Sequence, residues 1–436
     1  RKPDASKAAD EAPIVTQYEM HGVEELGLLK MDFLGLRNLD VITDTVTLVR
    51  STVDPDFDID RVPLDDPKVF ELLGRGETVG VFQLESPPMQ SLQRAMTPNS
   101  FEDVSAVIAL YRPGPMGVNM HYDYADRKNG RKKVEYFHED AAEILGDTYG
   151  LMIYQESVMR VAQRFAGYSM AEADNLRKAC GKKVRKLMEA EREKFIAGCE
   201  ATGYGAGLGE HLFSIIENFA DYAFNKSHSF GYGLVTYQTA YLKAHHPVEY
   251  FAALLTSVKD NLDKAGVYLA DARKQGVTVL PPDINRSDVD FGSFRDDRTV
   301  TFGLSAMRGV GAAVCRKIVA EREANGPFVD FNDYASRVES DCLNKKVVES
   351  FIKAGAFASV GHPRQGLLLV FERIVDSAAK KRAEIDQGVL SLFDGMDTET
   401  SGGFSLDIQI PDVEFERRVL LSLEKEHCGL NLSDHP

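Results

Sequence analysis

Asp32 sits inside the run Leu26-Gly27-Leu28-Leu29-Lys30-Met31-Asp32-Phe33-Leu34-Gly35-Leu36, which is short, apolar and bounded by glycine, as a buried strand should be. A carboxylate in such a place must be paired, metal-bound or protonated, because an isolated buried charge is too costly. Lys30, two residues earlier, projects from the same face of that expected strand. Three further groups concentrate donors and positive charge. Arg177, Lys178, Lys182, Lys183, Arg185 and Lys186 crowd into a short stretch interrupted by Gly181, with Lys178 and Lys182 at i, i+4 on one helical face able to hold a triphosphate. Phe224-Asn225-Lys226-Ser227-His228-Ser229 precedes an aromatic run of Tyr232, Tyr237 and Tyr241. Tyr111-Arg112-Pro113-Gly114-Pro115 fixes the backbone around an arginine with two prolines. Each group alone also reads as a solvated charged face or a rigid turn. Together the three shift the balance towards phosphate binding.

The elements that must position these residues are mostly helical. From about residue 38 to 270 the apolar pattern has helical period. Leu212, Ile215, Ile216 and Phe219 form one stripe, and Ser169 with Glu172 spells a capping box that opens a helix with Ala173, Leu176 and Cys180 inward. Pro281-Pro282 marks a boundary. Beyond it residues 299–304 alternate like a strand, two short helical pairs follow around Gly309-Val310-Gly311 and Leu343 to Phe357, and Asp394 to Phe404 has the composition of a linker. Gly203, Gly205, Gly207 and Gly209 superficially form a dinucleotide loop, but no strand precedes them and a helix connection is expected.

A length of 436 residues predicts two or three domains, and 44% hydrophobic with 27% charged residues is the composition of an ordinary globular protein. Fibrous and low-complexity classes are excluded. Neither a long apolar span nor an apolar leader core appears near Arg1 to Ala12, which predicts a cytoplasmic protein without membrane partners, and the start at Arg1 and stop at Pro436 suggest a fragment. Cys180, Cys199, Cys315, Cys342 and Cys428 stand far apart and read as buried free thiols. With 51 Lys and Arg against 67 Asp and Glu, the net charge of −16 opposes nonspecific adhesion to nucleic acid, so any such site must come from local clusters.

Several long runs carry a resemblance: GLLKMDFLGLRNL (27–39), VFQLES (81–86), FEDVSAVIALYRPGPM (101–116), TYGLMIYQESVMRVAQRFAGYS (148–169), ADNLRKACGKK (173–183), FNKSHSFGYGLVTYQTAYLKAHHP (224–247) and LPPDIN (280–285). In this order they resemble the bacterial replicative C-family DNA polymerases, the DNA polymerase III alpha-subunit family. Similarity is near-continuous from about residue 14 to 360. The resemblance implies a mainly α fold with minor β, multidomain: the C-terminal part of a β-containing palm over 1–45, helical fingers over 46–280, a helix-hairpin-helix DNA-binding region over 281–385, a clamp-binding peptide over 386–395, and over 396–436 a linker leading to a further domain.

It further implies that Asp32 is the third palm carboxylate, a catalytic residue holding two Mg²⁺ ions with two further carboxylates expected upstream. Such ions lower the pKa of the primer hydroxyl and neutralise the triphosphate. Lys30 matches the family lysine near the incoming nucleotide. Arg112, Arg177, Lys178, Lys182, Lys183, Asn225, Lys226 and His228 are the expected nucleotide-binding set. Asp56, Asp58 and Asp60 spell the PDFDxD pattern of the other palm carboxylates, but after the Asp32 motif rather than before it, so they read as a surface turn. Gly309 and Gly311 fit a hairpin that aims backbone amides at a DNA phosphate, with Lys345 and Lys346 in the second unit, which also reads as a purely structural hairpin. Gln387, Leu390, Leu392 and Phe393 fit the QxxLx[LF] form of clamp-binding peptides, with two residues more than the five-residue form the family more often shows. The function expected is template-directed DNA synthesis on primer-template DNA with deoxynucleoside triphosphates, a sliding clamp and replisome subunits as partners. The alternatives are a noncatalytic DNA- and clamp-binding module and the mutagenic paralogue of the same family.

Overall fold

A computed structural model describes residues 14–31, 33–182, 185–219, 222–294, 296–386, 406 and 408–434, with the side chains of 180–182, 185–187, 262, 385 and 386 left out of the description. Asp32, Lys183, Gln387, Leu390, Leu392 and Phe393 therefore lie outside the described residues, and of Lys182 only the backbone is described. The fold is helix-dominated with one small sheet, as the sequence predicts. It divides into a short unit ending at Arg37 and a large one from Asn38 onward.

The short unit corrects the expectation of a buried strand. Its described residues form one helix, Met20–Glu25, while 28–31 and 33–36 carry no regular structure. Leu29, Phe33 and Leu34 are 85%, 88% and 94% exposed. A strand needs a ladder partner for its amides and a cover for its apolar face. No described residue supplies a ladder to this run. Lys30 lies exposed within it.

The described residues of the large unit form three apolar cores. One gathers the helices Pro67–Gly74, Pro87–Met96 and Phe101–Leu110, the segment Leu151–Tyr154, and Tyr237, Ala240 and Ala244 of the Lys226–His245 helix. The second lies between the helices Gln155–Ala166, Met170–Lys182, Arg185–Ala201 and Ala206–Phe219. Its capping box forms as predicted: the Ser169 amide donates to Glu172 Oε2 at 2.8 Å and the Glu172 amide to Ser169 Oγ at 3.3 Å. The third core runs from Val41 through the Pro247–Ser257 and Leu262–Lys274 helices to Leu432. Its sheet is small, with order β1-β3-β2: β1 (Thr278–Leu280) lies parallel and β2 (Gly292–Phe294) antiparallel to β3 (Thr299–Thr301), and Val300 pairs with both Val279 and Ser293.

The Lys226–His245 helix ties the first core to the third. Gly233 lets it approach the Phe101–Leu110 helix, since a Cβ there would stand 2.6 Å from Ser105 Oγ. Lys243 is fully buried on it, and its Nζ donates to the carbonyls of Glu77 and Val79, each at 2.7 Å, and to Asp271 Oδ2 at 2.6 Å.

Residues 408–434 correct the linker expected over 396–436. An extended segment lies along the Arg364–Asp386 helix: Val413 O accepts from the Gly366 amide, and the Glu414 carboxylate caps the helix through the Arg364 and Gln365 amides at 2.8 and 3.1 Å. The Arg417–Cys428 helix follows, burying Leu421, Glu424 and Cys428. Polar composition made this stretch look like a linker. Its apolar residues are sparse but fall where they meet the core, and two of its carboxylates, Glu414 and Glu424, accept from backbone amides. The described cysteines Cys199, Cys315, Cys342 and Cys428 are buried free thiols, as expected, and burial pushes each up, to about 11 or 12.

Candidate nucleotide and nucleic-acid interface

The cationic groups come together through one backbone pairing. Tyr154 and Phe224 form a parallel bridge, in which the Phe224 amide donates to Ile153 O at 3.2 Å and the Gln155 amide to Phe224 O at 2.9 Å. Two helices start at this bridge, Gln155–Ala166 and Lys226–His245. The second is capped by Asn225, whose Oδ1 accepts from the His228 amide at 2.8 Å and from Ser227 Oγ at 2.6 Å. Glu156 accepts from the Lys226 amide at 3.0 Å and so locks the two starts together.

Arg112 reaches the same place from the end of the Phe101–Leu110 helix. Its Nε donates to Ala109 O at 3.0 Å, its Nη2 to Tyr222 O at 2.6 Å, and its guanidinium carbon stands 4.2 Å from the centre of the Phe224 ring. Burial lowers its pKa from the usual arginine value. A poorly hydrated guanidinium held by two carbonyls and a ring face is pre-ordered to bind an anion through the nitrogen those carbonyls leave, Nη1.

Arg177 joins the group by a long contact of Nη1 with Gln155 Oε1 at 3.5 Å. Asp174 bridges Arg177 at 2.8 Å and Lys178 at 2.8 Å, and the Lys178 ammonium, with Arg177, holds the Asp174 carboxyl below its ordinary range. Lys226 places its ammonium 5.5 Å from the ring centres of both Tyr154 and Phe230, and the His228 ring lies 4.4 Å from that of Tyr232. Arg112, Arg177, Lys178, Asn225, Lys226 and His228 thus belong to one contact network, whereas Lys30 belongs to the separate short unit. Gln155, Glu156 and Asp174 were missed. They stand within the motif runs 148–169 and 173–183, but neutral or acidic types are not what a search for phosphate ligands selects. A cavity of about 370 Å³ next to the network shares Tyr222 with it but is otherwise lined by apolar residues such as Met120, Ile215 and Phe219 together with Arg127, Glu135 and His211, and holds none of the predicted ligands.

Of the aspartates at 56–60, Asp56 is exposed and the other two make structural contacts. Asp58 caps the turn Ile59–Arg61 and pairs with Arg61 at 3.2 Å, and Asp60 Oδ1 accepts from Gln238 Nε2 at 3.1 Å. Among the described residues no group of three or more His, Cys, Asp or Glu is placed to hold a metal ion. No described helix is long and apolar enough to cross a membrane.

In the C-terminal region Gly309 has φ +79° and Gly311 caps the Ala312–Asn325 helix without a side-chain acceptor, so the first amides of that helix have no competing side-chain partner. The helix expected before this hairpin is only the single turn Leu304–Ala306. A Cβ on Gly309 would lie 3.8 Å from Ser350 Oγ, and Ser350 Oγ bonds the Lys346 carbonyl, so the first hairpin lies against the second unit, whose helix is Lys345–Ala354. Lys346 is exposed. The Lys345 ammonium is engaged by Asp376 at 3.0 Å and Glu372 at 3.3 Å, which raises its pKa.

Residues 38–203 match the family described as the bacterial DNA polymerase III alpha subunit finger domain, and residues 276–367 match a helix-hairpin-helix motif. Over 434 residues the chain is 51% identical to a DNA polymerase III subunit alpha of Mycobacterium leprae, covering 99% of this chain and 36% of that protein. The corresponding protein of Thermus aquaticus is 43% identical over 431 residues, covering 97% and 34%. In Campylobacter jejuni the identity is 39% over 429 residues, covering 98% and 36%. The chain spans about a third of the length of these relatives.

Proposed function

We infer the function from the premise that this chain belongs to the bacterial DNA polymerase III alpha-subunit family: it supplies the nucleotide-binding fingers and a DNA-binding helix-hairpin-helix region to template-directed DNA synthesis. The observation that carries this reading is the meeting of Arg112, Arg177, Lys178 and Lys226 at the Tyr154–Phe224 bridge, in a chain whose net charge is −16. Phosphates are bound by such charge-assisted donors, and ordering them before the ligand arrives reduces the cost of binding.

In this reading Arg112 offers a fixed guanidinium edge to the triphosphate. Arg177 and Lys178 exchange Asp174 for phosphate oxygens, and Lys226 and His228 line the start of the capped helix, where amide dipoles favour anions. Mg²⁺ would supply charge neutralisation at the triphosphate and activation of the primer hydroxyl, with Asp32 as one ligand. The hairpin at Gly309 to Gly311 and the exposed Lys346 hold duplex phosphates independently of sequence. Residues 387–393 tether the enzyme to a sliding clamp, raising its local concentration at the primer end.

Primer extension by the intact polymerase carrying this chain tests the assignment. Asp32→Asn should abolish extension while DNA binding persists, and Asp58→Asn should leave extension intact. Near-normal extension by the Asp32 variant would refute the polymerase reading of this segment and favour a noncatalytic DNA- and clamp-binding module.

A further inference from the structure

A second polar cavity, of about 470 Å³, opens between the Pro67–Gly74 and Pro87–Met96 helices on one side and the end of the Leu262–Lys274 helix on the other. Its walls carry Arg75, Arg94, Lys274, Gln90 and Gln275, with Gly76 between the first two. Gly76 has φ +67°, and a Cβ on it would stand 2.6 Å from Arg94 Nη1 and 2.7 Å from the Gln90 carbonyl. The missing side chain is what lets the Arg94 guanidinium lie against the turn.

The acids of the cavity are already committed. Glu77 Oε2 accepts from Arg75 Nη2 at 3.0 Å and from Gln275 Nε2 at 3.1 Å, and the Arg75 guanidinium holds its carboxyl below the ordinary range. Asp271 Oδ2 accepts from the buried Lys243 at 2.6 Å. Arg94 donates only to the neutral Ser91 Oγ among the described residues, and Lys274 has no carboxylate partner among them. Two uncompensated cations thus face one concavity beside two internally neutralised ion pairs. In a chain of net charge −16 that is a local exception to the prevailing field.

We propose that this cavity is a second phosphate-binding site, sharing no residue with the Arg112–Arg177 network, and that its ligand is a phosphate group carried either by a single DNA strand or by a free phosphoanhydride. Arg94 and Lys274 are its ligands and Gly76 shapes it. The proposal does not depend on the triphosphate reading, because none of its residues belongs to that network.

The test uses the 436-residue chain, a fluorescein-labelled oligothymidylate and inorganic pyrophosphate. Arg94→Gln with Lys274→Gln is compared with a charge-matched control, Lys68→Gln with Lys425→Gln, which removes two exposed cations elsewhere. For strand binding, loss of two phosphate contacts should flatten the slope of log K against log salt by about 1.4 and weaken binding about 25-fold at ~0.1 M salt. The control should change neither. For a free phosphoanhydride, calorimetric binding of pyrophosphate should be lost in the site variant and kept in the control, with oligonucleotide binding unaltered. Site and control variants that behave alike towards both probes would overturn the proposal.

Discussion

Replacing Arg112 separates a phosphate ligand from a structural brace. The side chain links Ala109 to Tyr222 through two carbonyls and covers Phe224, so part of its effect must be on local order. If Nη1 is also the donor to a triphosphate, Arg112→Ala removes one charge-assisted hydrogen bond, about 1.5–3 kcal/mol, or roughly 10- to 140-fold in affinity. Arg112→Lys keeps the charge but cannot reproduce the planar fork that reaches both carbonyls and a phosphate together. It should recover only part of the loss. The assay is equilibrium titration of a fluorescent deoxynucleoside triphosphate, paired with a thermal melt of each variant. A lower melting temperature with unchanged triphosphate affinity in both variants would show that Arg112 is a brace alone.

Two further outcomes concern stability. Lys243→Met leaves the Asp271 carboxylate buried without its partner and should cost about 3–5 kcal/mol in urea unfolding, whereas adding Asp271→Leu should restore the part due to the buried charge and leave the cost of the Glu77 and Val79 carbonyls that lose their donor. The Glu172 carboxyl is held at about 2, first by the Ser169 amide and then by Lys194. Its folded pKa is depressed from 4.5, so its stabilisation is complete above about pH 4.5 and lost as pH falls towards 2. Glu172→Gln should remove that part of the acid limb in a pH series of melts.

Much of the helical frame is legible in local sequence because its signals are local. Ser169 and Glu172 cap a helix, and Leu212, Ile216 and Phe219 are buried on one face. What brings the cationic groups together is not local. The Tyr154–Phe224 bridge joins residues 70 positions apart, and no periodicity announces it. Glu156 acts through a backbone amide of the other helix start, a role its residue type does not reveal. Lys345 looked free for DNA until the Arg364–Asp386 helix brought Asp376 and Glu372 to it. The run at 26–36 has the composition of a strand, but composition does not supply a ladder partner. Residues 408–434 have a polar composition and still pack, because four buried side chains, Leu421, Glu424, Cys428 and Leu432, and one capping glutamate suffice to dock a short helix and strap.

Single-nucleotide incorporation by the intact protein carrying Arg177→Ala or Lys178→Ala tests the proposed nucleotide site most directly, with primer-template affinity measured in parallel. A triphosphate ligand contributes to nucleotide binding or to the transition state, so the nucleotide KM should rise or kcat fall about tenfold or more while duplex affinity stays within about twofold. Loss of duplex affinity with unchanged nucleotide kinetics would place these cations on the DNA path and contradict the account.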